Sequence, residues 1–383
     1  MMRDVFIIGV GQTPVGEHWD QGLRELGRSA IEDALADARI EAVDALYAGN
    51  MLGGCVNGQE NVATLLADAA GLLPAEAWKV EAACASGGAA VRAAMLAVAS
   101  GDLEIAVAVG VEKMTDASSG MVAAGLATAA DQDYEASHGL SFVSLSALLM
   151  RRYMHETQQT RDAFAPFAVS AHLNGAANPR AMFREPIDAD AFATCAMVAD
   201  PIGILDAAPV CDGAAAVVVC SKDTVRSHHK PIRISASSVA TDTISLAARP
   251  DILSLRAAAR SASRAYAAAK CSPQDIDFFE AHDAFTIITA LSLEACGFCK
   301  RKDVLKRAGD GYFAQGGPLP ISTFGGLKAR GHPVGASGTY QIVEAALQLR
   351  GEAGPNQVTP ARRAMTQSIG GHGSIAVAHI LEA

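Results

Sequence analysis

Strand-length apolar runs alternate with helix-spaced segments over residues 5–111, and the same alternation restarts after Pro231. Val5 to Val10 reads as a buried strand closed by a Gly9-Val10-Gly11 turn, and Leu23 to Ala38 carries apolar residues at helical spacing. Val43 to Ala48 reads as a second strand, Asn61 to Ala70 as a helix, Trp78 to Ala82 as a third strand, Ala85 to Ala99 as a helix and Ile105 to Val111 as a fourth strand. Alternation of this kind predicts a mostly parallel sheet covered by helices.

Residues from about 115 to 205 break the rhythm with helical segments, an Asn178-Pro179 pair and Pro186, and read as a loop excursion that forms the lid or wall of a binding site. Val217 to Cys220 returns as a strand. The second half then repeats the plan, with a strand at Ile232 to Val239, an Ala-rich helix at Leu255 to Ala269 and a strand at Ile276 to Ala281. IEDALADARIEAVDALYAGN and ASRAYAAAKCSPQDIDFFEAHD both run from helix through a short polar link into an apolar strand containing Asp, the mark of a duplicated α/β unit. The expected organisation is an N-terminal half, residues 1–225, holding the loop domain, and a C-terminal half, residues 230–383.

Charge and composition narrow the class. A formal net charge of −10 disfavours nucleic acid or an anionic membrane as the main partner, and half the residues are hydrophobic with 19% charged, which excludes a disordered chain. No run of about 20 apolar residues free of charge predicts a membrane span, and the MMRDVFIIGVGQTP start has no basic n-region or cleavage site. Eight cysteines scattered through a chain this long read as reduced thiols and a cytoplasmic enzyme rather than a disulfide framework. Cys296-Gly297-Phe298-Cys299 is a lone pair with no further ligands at zinc spacing, acidic residues do not cluster, and neither a dinucleotide nor a P-loop fingerprint occurs, so no metal and no resident cofactor are expected.

Four segments carry chemistry. In Val80-Glu81-Ala82-Ala83-Cys84-Ala85-Ser86-Gly87-Gly88 a strand ends on a cysteine and a helix begins, a place where the helix dipole favours thiolate. Taken alone, Cys84 is either a nucleophile or a packed thiol. Glu280-Ala281-His282-Asp283-Ala284-Phe285 puts a histidine at another strand end, able to donate to an oxyanion or move a proton. Gly325 to Gly338 surrounds His332 with glycines ahead of a helical run from Tyr340 to Leu349, which makes a shaped loop. Ser368-Ile369-Gly370-Gly371-His372-Gly373-Ser374 precedes the strand Ile375 to Ile380 and can aim backbone N–H groups at an oxyanion. A strand-end cysteine with histidine-bearing loops suits acyl-thioester chemistry: sulfur attacks a carbonyl, histidine handles the proton, and N–H donors hold the oxyanion.

These segments, with GQTPVGEHW, YAGNMLGG, GVEKMTD, RDAFAPFAVSAHLNGAANPRAMF and VCDGAAAVVV, resemble the thiolase superfamily, and within it the sterol-carrier-protein-type and archaeal acetoacetyl-CoA thiolases, over nearly the whole chain. The resemblance implies a five-layer αβαβα fold of two similar halves with an inserted loop domain, assembled as a homodimer or homotetramer. It implies Cys84 as acylated nucleophile, His332 as its base, His282 in one oxyanion hole and the Cys84 and Gly370 N–H groups in the other. The implied activity is a CoA-dependent acyltransferase that joins two acetyl-CoA into acetoacetyl-CoA or reverses this, with acyl-CoA and CoA as substrates. The alternatives are another condensing enzyme of this fold with Cys/His/His chemistry, or a CoA-ester-channelling subunit working with an OB-fold, zinc-ribbon protein and a hydroxymethylglutaryl-CoA synthase. The chain departs from the pattern at the second catalytic cysteine, where Ser368 and Ala284 stand at the two usual positions. Proton transfer then falls to His282, His332 or His372, and the sequence does not choose among them.

Overall fold

The computed structural model describes residues 2–383. In chain order the elements of the first half are β1 (Val5–Gln12), α1 (Leu23–Ala38), β2 (Ala45–Gly49), α2 (Gly53–Val56), α3 (Val62–Ala69), β3 (Glu76–Val80), α4 (Ser86–Ser100) and β4 (Ile105–Glu112). The excursion holds α5 (Ser119–Ala127), α6 (Phe142–Thr157), α7 (Ala165–Ala177), α8 (Ala189–Thr194) and a small hairpin, β5 (Met197–Ala199) with β6 (Ile202–Gly203). Then come β7 (Gly213–Ser221), β8 (Ile232–Thr241), α9 (Arg256–Ala269), β9 (Phe278–Glu280), α10 (Thr286–Ala295), α11 (Arg301–Gly309), α12 (Ser337–Arg350), β10 (Arg363–Gly370) and β11 (Ile375–Glu382).

The strands lie in the order β3-β2-β4-β7-β1-β8-β11-β10-β9. The sheet is mixed, not mostly parallel. Only β2 with β3, β2 with β4 and β9 with β10 run parallel, whereas β7 is antiparallel to both β4 and β1, and β8, β11 and β10 pair antiparallel in turn. A strand buried on both faces reads as a continuous apolar run whichever way it points, so sequence periodicity does not carry its direction. The order also exposes the duplication. β2, flanked in parallel by β3 and β4, has its counterpart in β9, flanked in parallel by Ile321 and β10, and each half closes with two antiparallel strands. The halves join edge to edge through a short β1–β8 pairing at Phe6 and Ile7.

Five layers follow. α1 and α3 cover one face of the first half with Leu26, Ile31 and Leu66 against Ile8, Val107 and Val109. α4 and α12 fill the middle, where Val91, Ala94, Tyr340 and Ile342 meet the opposite faces of the strands. α9 and α10 cover the second half and share their core with α6 and α7 of the excursion. The 18-residue stretch Ala83–Ser100 is apolar enough by length and composition to cross a membrane, and here it forms the central layer of the fold.

Two glycine pairs set the spacing. Gly9 and Gly11 do not turn the chain, as their sequence suggested. They lie inside β1, where an added Cβ would stand 2.2 Å from the carbonyl oxygens of Ala34 and Ala30, so they let α1 press onto the strand. At the other contact, a Cβ on Gly338 would stand 2.4 Å from the Gly88 nitrogen, so the first turns of α4 and α12 touch backbone to backbone. Gly338→Ala is therefore expected to lower stability by about 1–3 kcal/mol, measured as a lower urea midpoint, because neither backbone can yield without moving the other helix.

Candidate active site

Parallel strands deliver their carboxyl ends to one edge of a sheet, and ligand crevices form there. In the first half β3 delivers Cys84 and in the second β9 and β10 deliver His282 and Gly370, and the two halves meet where Gly88 at the start of α4 touches Gly338 at the start of α12 and Gly370 lies on the Ala82 carbonyl. Ala83, immediately before the cysteine, is held at φ 51°, a left-handed conformation costly for a residue with a Cβ. Ser86 pins the turn by accepting from Ala82 N (2.9 Å) and donating to the Ala83 carbonyl (2.6 Å).

Cys84 is buried and packs with Leu52, Met114, Val122 and Val334. Burial pushes its thiol up to about 12, Glu112 and Glu81 add to the rise, and the Cys84 and Gly371 N–H groups oppose it. This corrects the expectation of a resting thiolate: loss of solvation outweighs the helix dipole, so sulfur rests protonated and needs a base. The N–H facing the sulfur belongs to Gly371, the residue after Gly370; Gly370 itself lies tight on the Ala82 carbonyl, where a Cβ would stand 2.3 Å away.

The two candidate histidines face each other, ring centroids 5.4 Å apart at 86°. Burial drives both below the ordinary range, His282 to about 3, so both rest neutral. Their neighbours fix opposite tautomers. His282 Nδ1 accepts from Ile369 N (3.3 Å), which leaves the proton on Nε2. With the Ser337 hydroxyl proton assigned to the Pro333 carbonyl (3.3 Å), His332 Nδ1–H donates to Ser337 Oγ (2.7 Å) and His332 Nε2 keeps a lone pair. Among the described residues neither Nε2 has a hydrogen-bond partner within the protein.

His372 and Ser368 are engaged elsewhere. His372 Nε2 donates to the Phe142 carbonyl (2.9 Å) and lies 3.1 Å from Ser146 Oγ, with its ring on Phe142, so it fastens the excursion to the second half. Ser368 Oγ sits at the junction of the central helices, where a Cβ on Gly88 would stand 2.3 Å from it.

Several supports were not visible as motifs. Glu112, buried at the end of β4, accepts from the N–H groups of Met51, Leu52 and Gly335 and so ties two loops to the end of its strand near Cys84. Arg330 is 1% exposed, with Nε 3.0 Å from Glu344 Oε1 and its guanidinium over the Tyr340 ring. No N–H of Arg330 is aimed well enough at an oxygen to make a hydrogen bond, so the attraction to Glu344 is chiefly Coulombic. Glu280 takes the Thr323 N–H and hydroxyl, Asp283 takes the Leu327 N–H, and the Gln341 amide donates to the carbonyls of Ala281 and Gln367. Together they lash the His282 segment to the His332 loop and β10. The signal in the sequence was a charge inside an otherwise apolar element, Glu112 in IAVAVGVE and Glu344 in TYQIVEAALQ. Among the described residues no three His, Cys, Asp or Glu side chains are placed to hold a metal ion.

Glu112→Gln is expected to bring the Cys84 thiol down toward the ordinary range, so that iodoacetamide labelling at pH 8 becomes faster while the pH profile shifts to lower pH. A purely structural Glu112 would leave the profile where it is.

Family models match across both halves: "Thiolase, N-terminal domain" over residues 5–223 and "Thiolase C-terminal domain-like" over residues 238–383. The chain belongs to the thiolase family. It is 44% identical to an acetyl-CoA acetyltransferase of Methanothermobacter thermautotrophicus over 382 residues, covering 99% of both chains. It is 35% identical to the benzoylsuccinyl-CoA thiolase subunit BbsB of Thauera aromatica, covering 96% of this chain and 95% of that one. The solved Ltp2-ChsH2(DUF35) aldolase shares the fold with a TM-score of 0.86 at 24% identity, over 99% of this chain and 98% of that one. The five-layer architecture is thus that of the thiolases, and the chain is a thiolase-family acyltransferase.

Proposed function

We propose that this thiolase transfers acetyl groups between CoA thioesters, joining two acetyl-CoA into acetoacetyl-CoA plus CoA or running the reverse, through an acetyl thioester on Cys84. The observation that carries the reading is the pair of facing neutral imidazoles, one presenting Nε2–H and the other an Nε2 lone pair, on a loop whose Val334 packs against the buried Cys84. His332 takes the Cys84 proton as sulfur attacks the thioester carbonyl, and returns it to the departing CoA sulfur. The tetrahedral oxyanion is assigned to the N–H groups of Cys84 and the Gly370–Gly371 segment, and the carbonyl of the second substrate to His282 Nε2–H. Coenzyme A is substrate and product here, with no resident cofactor. The relative from Methanothermobacter, named acetyl-CoA acetyltransferase, supports the acetyl substrate, while the relative from Thauera is named for benzoylsuccinyl-CoA, a far larger acyl group.

The test is CoA-dependent loss of acetoacetyl-CoA enolate absorbance, together with intact mass after acetyl-CoA treatment. Thiolysis and an acetyl adduct on Cys84 are the expected results; absence of both in the assembled enzyme sinks the reading. We further propose a homodimer or homotetramer. The relative named as a subunit and the aldolase named with a second protein support adding a partner, such as an OB-fold, zinc-ribbon protein or a hydroxymethylglutaryl-CoA synthase, to the same assay.

A further inference from the structure

Joining two acetyl thioesters asks for two proton abstractions of different kinds, one from the Cys84 thiol and one from the methyl carbon of the second substrate. We propose that His332 performs both, so that one imidazole serves each half-reaction in turn while His282 serves only as a donor. The inference rests on the thiolase reading above and assigns the carbon-acid step that it left open.

Elimination from the geometry leads there. A base needs an unshared pair facing the crevice. His282 cannot offer one at Nε2, because the Ile369 N–H occupies Nδ1 and leaves the proton on the other nitrogen. His372 has its Nε2–H bound to the Phe142 carbonyl, beside Ser146. Ser368 has a hydroxyl, a poor base, wedged between the first turns of α4 and α12. The nearby thiols are committed too: Cys55 donates to the Leu52 carbonyl at 3.5 Å, and buried Cys211 has its sulfur at the His332 backbone N–H. Glu112 and Asp283 accept from backbone N–H groups of the loops they secure, and Glu280, whose second oxygen has no hydrogen-bond partner, stands in the buried charge cluster of Arg330 and Glu344. His379 keeps an unpartnered Nδ1 but lies mid-strand in β11 with its Nε2 on the Gly88 carbonyl, so His332 Nε2 remains, held by the Ser337–Pro333 relay and facing the donor ring of His282.

The steps balance. In the first half the Cys84 S–H proton moves to His332 Nε2, the carbon–sulfur bond to CoA breaks as the bond to Cys84 forms, and the departing sulfur takes the proton back. His332 is then neutral again. In the second half it takes the methyl proton of the new acetyl thioester, whose carbonyl oxygen accepts from His282 Nε2–H. The released C–H pair forms the carbon–carbon bond to the acetyl carbon on Cys84, sulfur leaves, and His332 returns the proton to it. No oxidant, reductant or net proton is needed.

The experiment reads the second step alone, as deuterium exchange into the methyl group of acetyl-CoA in D2O by mass spectrometry, on Cys84→Ala enzyme. Exchange is expected to persist there, to fall at least about 100-fold when His332→Gln is added, and to stay within about threefold when Ser368→Ala is added instead. Exchange that survives loss of His332, or that falls with Ser368, overturns the proposal. Exchange present in wild type but absent in Cys84→Ala makes sulfur the base and overturns it equally. The thiolase reading is judged on a separate readout, acetylation of Cys84 in the wild type, so the two failures are distinguishable.

Discussion

Cys84→Ala is expected to lower thiolysis of acetoacetyl-CoA by at least about 10⁴-fold with the fold intact. The side chain is small, its neighbours Leu52, Met114 and Val334 belong to a cluster that hardly changes in volume, and the polar groups of the turn, Ser86 and the Ala82 and Ala83 backbone, keep their partners. The loss comes instead from removing the covalent path, for which positioned histidines offer no substitute. Cys84→Ser is the sharper comparison. It keeps a nucleophilic atom but asks His332 to deprotonate a far weaker acid, so a thiol-specific mechanism predicts a fall nearly as deep. Stopped-flow absorbance with circular dichroism of each variant checks both points; a drop of less than about tenfold in Cys84→Ala would move the nucleophile elsewhere.

Arg330→Met is expected to cost about 3–5 kcal/mol of stability. The guanidinium is the positive charge that bears on all three of the buried Glu344, Glu280 and Asp283, and its removal leaves the two glutamates uncompensated, while Asp283 still feels Lys328. Burial already raises Glu280 to about 7 and Glu344 to about 8, so their folded values exceed the unfolded one. Such groups hold their full contribution below the unfolded value and lose it as pH rises through the folded one. The damage from Arg330→Met is therefore smaller at pH 6 than at pH 8.5, and Glu344→Gln added to it restores part of the loss. Urea midpoints at the two pH values give the sign directly; a cost independent of pH would mean that packing over Tyr340, not charge, is what Arg330 supplies.

The chemistry was legible because it sits in glycine-rich breaks between apolar runs, where a lone cysteine or histidine stands out. Cys84, His282 and His332 stand out there as candidates, and the structure sets the two histidines face to face and the turn that follows Cys84 against the start of α12. What stayed illegible depended on partners distant in the chain. Glu112 gains meaning from Met51 and Gly335, and Ser337 from the ring it orients. The thiolate expectation failed for the same reason: a helix N-terminus is a local feature, whereas desolvation comes from Leu52, Met114 and Val334 together. Gly9 and Gly11 were misread as a turn because nothing in the strand itself shows α1 lying on top of it. The resemblance to thiolases, rather than the strand pattern, carried the five layers; the pattern by itself pointed to a more parallel sheet.

The shared central layer also bears on how the chain is made. α4 is its most membrane-like helix, with mean hydropathy 1.3 over Ala83–Ser100, and α12, which covers it, begins only at Ser337. At about 5–20 residues per second a ribosome needs on the order of 10–50 s to bridge that gap. Throughout that interval the nascent first half carries a greasy helix whose cover has not yet been synthesised. A chain stopped before α12 is thus left with a sticky, unfinished surface, and the burden of chaperoning falls on the time between the two halves rather than on either half alone.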